Sequence, residues 1–254
     1  MLFNYISNNN SNIVNKSISV NPNKKKSRVS FKQNYTQDTF QSNSPERLFN
    51  EVAIRKLIAQ NPEVTKILDA NKLPVHLNIK ELQELKNGHC KVTQDISMAI
   101  FKHLPEVLRK NINPADLKDG AFLHDFGKVL IPPEILNKES GLTTPEHKIM
   151  DLHTELGYQL LKPTNFNENV KNIVRMHHHN YDKTAEGLEF IPDVSLQIVN
   201  LADKYSALTE KRCYKGAFST DKALGIIAQD VKDGTVHPLL YKALSEAIKN
   251  NEIH

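Results

Sequence analysis

Cysteine is almost missing from this chain. Cys90 and Cys213 are the two in 254 residues, far apart and in no CxxC arrangement. Two distant thiols build no disulfide framework, and a reducing cytoplasm is the simplest compartment for such a chain. No run of about 18 or more apolar residues occurs, so no transmembrane helix is expected. Met1 to Asn10 lacks the basic start and long apolar core of a signal peptide. There is no glycine-rich phosphate loop and no HExxH pair. Strand-like alternation and internal repeats are absent as well. Charge of neither sign dominates: 33 Lys and Arg against 29 Asp and Glu leave +4, with a pI near 8.8. Part of the excess sits in Lys24-Lys25-Lys26, and with no basic stripe or aromatic series no nucleic-acid partner is expected.

What is present fits one good-sized globular domain with an appendage, at 39% hydrophobic and 24% charged residues. Residues 1–43 are rich in Asn, Ser and Lys and carry no apolar period, which predicts a disordered tail. Ser44-Pro45-Glu46 opens a helical extension over 44–87, interrupted at Asn61-Pro62 and ended by Asn87-Gly88. The remaining domain, 88–254, reads as successive helices. Val92, Ile96, Ala99, Ile100 and Leu104 recur at three- and four-residue spacing before Pro105. Asn113-Pro114 starts the next helix, Ile131-Pro132-Pro133 makes a loop, and Thr144-Pro145-Glu146 opens a helix with Ile149, Leu152, Leu156 and Leu160 inward. Helices from Asn167, Asp193, Thr220 and Pro238 complete an all-α chain, with an irregular polar loop over 180–192.

His124-Asp125 lies at the centre of Gly120-Ala-Phe-Leu-His-Asp-Phe-Gly-Lys128. An adjacent His and Asp offer a nitrogen ligand and a carboxylate able to bridge two cations. The following Lys128 can neutralise a phosphate. Alone the pair means little. However, His89, His153, His177 and Asp203 also fall at or beside the inward faces of other helices. Burying that many ionisable groups uncompensated would cost several kcal/mol each. A shared metal centre removes the objection, and imidazole with carboxylate and no thiolate suits iron, manganese or zinc.

These residues resemble the HD superfamily of metal-dependent phosphohydrolases, most closely its HD-GYP branch. The resemblance runs from His89 to Ile248. It includes His124-Asp-Phe-Gly-Lys128, Ile135-Leu-Asn-Lys138, His153 with Gly157, His177-His178, Asp203-Lys-Tyr-Ser-Ala-Leu-Thr209, and Arg212 with Tyr214-Lys215. It implies an HD-domain helical bundle in which His89, His124, Asp125, His153, His177, His178 and Asp203 ligate two divalent metal ions, with Asp125 bridging. Iron or manganese leads, with zinc as the other candidate. The implied reaction is attack of a metal-activated hydroxide on a nucleotide phosphodiester such as cyclic di-GMP. Asp125 and Lys128 would take part in the chemistry, and Lys128, Arg212 and Lys215 would hold substrate phosphates. A homodimer is compatible with this reading.

Two departures stand against the full match. His179 replaces a Glu after the paired histidines, and Tyr181 to Gly187 runs on without Gly-Tyr-Pro. Leu85 also occupies the place where three-metal members carry Glu, so two ions are expected rather than three. A nucleotide phosphomonoesterase and a non-catalytic HD-type binding module are the alternatives. His103, His147 and His237 are expected in surface or packing roles, and Cys90 as a small buried residue.

Overall fold

The computed structural model describes residues 44–179, 193–210 and 216–253. The tail expected over 1–43 and the loop expected over 180–192 lie outside the described residues. So do Arg212 and Lys215.

A 3-10 turn at Pro45–Leu48 leads into α1 (Glu51–Gln60), whose first turn is capped by Asn50 accepting from the Ala53 N–H at 2.9 Å. Asn61-Pro62 separates it from α2 (Glu63–Ala70), as the sequence predicts. The next helix, α3 (Ile79–Asn87), stops at Gly88, and α4 (His89–His103) starts immediately. Pro105 ends that helix because it can neither donate a backbone bond nor clear the preceding turn. A short α5 (Glu106–Arg109) was not anticipated. α6 (Pro114–Leu123) follows, with proline in its first turn and Asn113 accepting from Ala115 N–H. The chain then tightens into a 3-10 turn over Phe126–Leu130.

Pro132-Pro133 does not make only a loop: Pro133 opens α7 (Pro133–Leu136), since a first-turn proline sacrifices no intrahelical bond. α8 (Thr144–Leu161) begins with a capping box between Thr143 and Glu146. Lys138 also donates to Glu146 at 2.6 Å, tying the preceding loop to this helix start. α9 (Glu168–Met176), α10 (Val194–Thr209), α11 (Thr220–Asp233) and α12 (Pro238–Lys249) complete the order. Among the described residues there is no strand, and no helix is long and apolar enough to cross a membrane.

Two apolar clusters hold these helices. One joins Ile54, Leu57, Val64 and Leu68 of α1 and α2 to Leu156 and Leu160 of α8 and to Phe126. The other joins Ile96 and Ile100 of α4 to Ile198 and Leu201 of α10 and to Leu240 and Leu244 of α12. Each fully buried aliphatic side chain contributes roughly 1.5–3 kcal/mol. α6 serves both clusters, with Phe122 and Leu123 in the first and Leu117 and Ala121 in the second. Its C-terminal end therefore emerges where the clusters adjoin, and that end is His124-Asp125. One expected core residue is displaced. Val92 is 36% exposed, while the polar Thr93, Gln94 and Ser97 are buried on α4 beside Ile96, Ala99 and Ile100. The buried face is set by the helices that surround α4, not by apolarity alone.

Candidate metal centre

Five segments deliver the site. His89 is the first residue of α4, His124 and Asp125 follow α6, and His153 lies within α8. His177 and His178 follow α9, and Asp203 comes from α10. All seven come together. The ligand-type atoms of His153, His177 and His178 lie within 4.8 Å of one another, and so do those of His89, His124 and Asp203. Asp125 stands between the two triads and presents one oxygen to each. Oδ1 is 3.4 Å from His153 Nε2 and 3.9 Å from His177 Nε2. Oδ2 is 3.4 Å from His124 Nε2 and 3.6 Å from His89 Nε2. Lys128, one 3-10 turn on, donates to the same Oδ2 at 2.6 Å.

The close packing of backbone that permits this rests on Gly127. A Cβ there would lie 2.0 Å from the His153 carbonyl oxygen and 2.5 Å from the Gly157 nitrogen. No other residue lets the turn after Asp125 cross α8 so near His153.

Hydrogen bonds fix the tautomers of three imidazoles. The Nδ1–H of His124 donates to the Ala121 carbonyl at 2.7 Å. His153 does the same to Met150 at 2.6 Å, and His177 to Val174 at 2.9 Å. Each ring thus bonds the carbonyl three residues back, leaving Nε2 with a lone pair. Those lone pairs converge. His153 Nε2 and His177 Nε2 are 3.3 Å apart, and the fully buried His124 Nε2 has no hydrogen-bond partner. Facing lone pairs repel unless a cation sits between them. This donor set, with Asp125 and Asp203 beside it, fits divalent metal ions bound through imidazole and carboxylate.

The electrostatics agree. Burial drives the His153 imidazole down to about 4 and holds His177 well below its ordinary value, so both rings are neutral at pH 7. Burial works against the Asp125 carboxylate, but the Lys128 ammonium above all holds it well below the usual range. Asp203 is likewise held low against burial, chiefly by its hydrogen bond from His89. His89 differs from the other rings. Burial pulls it down, yet bonds to Asp203 and Glu210 and the charge of Asp125 outweigh that and raise it to about 9. Carboxylates at both nitrogens call for positive charge at this ring, as a proton or as a metal ion on Nε2.

A cavity of about 570 Å³ opens beside the site. His89, Lys128 and Glu210 form its inner side, and Leu136, Lys138 and Leu142 belong to its wall. His147, expected in a surface or packing role, also lines it. His103 pairs with Glu252, and His237 caps α12 by accepting from Leu239 N–H. Cys90 is 1% exposed, and burial raises its thiol well above the ordinary value, as expected of a packing residue. His179 is exposed and belongs to neither triad.

Three polar residues, Ser206 among them, make contacts at the site that the sequence did not assign. Ser206 and Glu210 contact His89 Nδ1 at 3.0 and 3.1 Å, and the Asn200 amide donates to the His177 carbonyl at 2.7 Å. Spacing carried a signal for all three, since they lie three residues before, and three and seven after, Asp203. That places them near its face of α10.

Comparison with known proteins supplies the lineage. A cyclic di-GMP phosphodiesterase of Vibrio cholerae serotype O1 is 39% identical over 159 residues, covering 56% of this chain and 32% of that protein. The cyclic di-GMP phosphodiesterase response regulator RpfG of Xanthomonas campestris pv. campestris is 38% identical over 114 residues, covering 42% and 30%. The chain thus spans about a third of the length of these curated relatives. Among solved structures, the HD domain of the L. monocytogenes phosphodiesterase PgpH in complex with cyclic-di-AMP aligns at TM-score 0.47 and 19% identity. That alignment covers 75% of this chain and 94% of that one. A family model described as the HD domain matches residues 80–236, and the chain belongs to the HD-domain family.

Proposed function

We propose that this chain is a metal-dependent phosphohydrolase that cleaves a phosphodiester of a cyclic dinucleotide, with cyclic di-GMP as the leading substrate. The observation that carries the reading is Asp125, whose two oxygens face separate triads while Lys128 bonds one of them. In this reading His153, His177 and His178 would hold one ion and His89, His124 and Asp203 the other, with Asp125 shared between them. Two divalent ions, iron or manganese first and zinc as the alternative, would polarise phosphate oxygens and lower the pKa of a water placed between them.

The protein's own groups do the rest. Backbone carbonyls of Ala121, Met150 and Val174 keep three Nε2 lone pairs aimed inward. Lys128 sits at the cavity's inner side, where its ammonium offsets charge on a phosphate beside Asp125. The cavity's lining includes apolar Leu85, Leu136 and Leu142, which suit a base, and Lys128, which suits a phosphate. The domain proper runs over 88–254, and 44–87 forms a helical extension braced on α8 through Ile54 and Leu68. The named activities of the relatives support this choice of substrate.

The test is chromatography of cyclic di-GMP incubated with protein reconstituted anaerobically with ferrous iron or manganese, alongside Asp125→Ala. Linear dinucleotide or GMP from the wild type alone is the expected result. The variant should lose more than about 100-fold in activity, beyond the range of outer hydrogen-bonding partners. Two bound ions without turnover of cyclic di-GMP would sink this substrate and move the assay to nucleotide monophosphates. A chain with no bound ion and no product would overturn the hydrolase in favour of an HD-type binding module.

A further inference from the structure

His124, His153 and His177 each follow a helical turn whose carbonyl, three residues back, receives Nδ1–H. His89 has no such turn. It is the first residue of α4, and Gly88 before it closes α3 by donating its own N–H to the Glu84 carbonyl. The ring is held from another helix instead. Its Nδ1 lies 3.0 Å from Ser206 Oγ and 3.1 Å from Glu210 Oε2, and the Ser206 hydroxyl donates to Glu210 Oε1 at 2.7 Å. One carboxylate thus receives the imidazole N–H on one oxygen and the serine O–H on the other. Asp203, Ser206 and Glu210 stand at intervals of three and four residues on α10, so a single face carries the carboxylate at Nε2 and the pair at Nδ1. Glu210 ends the helix, its own N–H bonded to the Ser206 carbonyl at 2.8 Å.

Resting on the two-ion reading above, we propose that Glu210, held in place by the Ser206 hydroxyl, is the positioning residue for His89 and sets the affinity of the His89–His124–Asp203 triad for a divalent cation. It has no hold on the His153–His177–His178 triad. The carboxylate fixes the ring with Nδ1 protonated, turns Nε2 toward Asp203 and Asp125, and makes that nitrogen a stronger donor. A backbone carbonyl supplies the first two effects but not the full charge. The two triads therefore answer to different residues.

The experiment is Mn²⁺ titration of the full chain by calorimetry, with wild type, Glu210→Ala, Glu210→Gln and Ser206→Ala. The wild type should show two binding steps. In Glu210→Ala one step should weaken by about 10–100-fold while the other keeps its affinity. Glu210→Gln should fall between, since its amide oxygen still accepts but carries no charge. At a free Mn²⁺ that fills both wild-type sites, Glu210→Ala should give an isolated-ion electron paramagnetic resonance spectrum where the wild type gives a coupled pair. Two unchanged steps in Glu210→Ala, or equal weakening of both, would overturn the role of Glu210 and leave the metal centre standing. A wild type that binds no Mn²⁺ would overturn the metal centre and this inference together.

Discussion

On the His153 side of Asp125 two imidazoles are fixed by helix backbone, whereas on the other side His89 is fixed by the side chains of Ser206 and Glu210. His124, next to Asp125, uses backbone like the first pair. The difference has a consequence for how each part can be changed. A backbone carbonyl survives any substitution that preserves the helix, so those rings are buffered against mutation at their anchor residues. A side-chain anchor can be removed without disturbing the fold. The three backbone-anchored rings are therefore tied to global stability, and His89 is separately adjustable.

The strongest way to break the comparison is Gly127→Ala. The new methyl would meet the His153 carbonyl and Gly157 nitrogen, both backbone atoms that cannot rotate away. A loss of about 3 kcal/mol, at the top of the range for overpacking, is expected in urea unfolding. Bound Mn²⁺ should fall with it, because the turn carrying Asp125 must move off α8. Stability lost with full ion content retained would show that this crossing does not set the position of Asp125.

A milder change sharpens the contrast. Val174 is fully buried, and its carbonyl anchors His177. Val174→Ala should cost about 2 kcal/mol from lost burial and an incompletely closed cavity. Both Mn²⁺ steps should remain, since the carbonyl remains. Glu210→Ala should do the reverse, leaving unfolding nearly unchanged while one step weakens. If Val174→Ala also removed an ion, backbone anchoring would not be the buffer argued here.

The smallest effect concerns a carboxylate outside the centre. Asp125 and Asp203 are held low by cationic neighbours, but Asp119 on α6 is raised to about 6, by burial first and by Glu46 next. A carboxylate raised above its unfolded value favours the folded state at low pH. That contribution is complete below about 3.8 and is lost as pH rises through about 6. Asp119→Asn should therefore raise the melting temperature slightly at pH 7.5 and leave it unchanged near pH 4. An equal shift at both pH values would assign the effect to something other than ionisation.

Much of the helix order was legible because its signals are local. Asn61-Pro62, Gly88 and Pro105 break helices through backbone geometry that neighbours cannot override, and Thr143 with Glu146 announces a helix start. Where local rules misled, packing decided. Val92 fits the apolar period yet faces outward, while Thr93 and Ser97 are buried against neighbouring helices. Pro133 could stop a helix or begin one, and the chain uses it to begin α7.

The amino-acid sequence alone determined the all-α class, the segments that bear the seven His and Asp residues, and the HD lineage. Each of these is written in residue type and spacing along one strand of text. Only the tertiary structure decided that Asp125 turns one oxygen to each triad and that three Nε2 lone pairs converge. It alone seated His89 between Asp203 and the Ser206–Glu210 pair, more than 110 residues away. Those facts depend on how α4, α6, α8, α9 and α10 pack. An imidazole acquires its tautomer, and a carboxylate its place between two triads, only from neighbours that folding brings within about 3–4 Å.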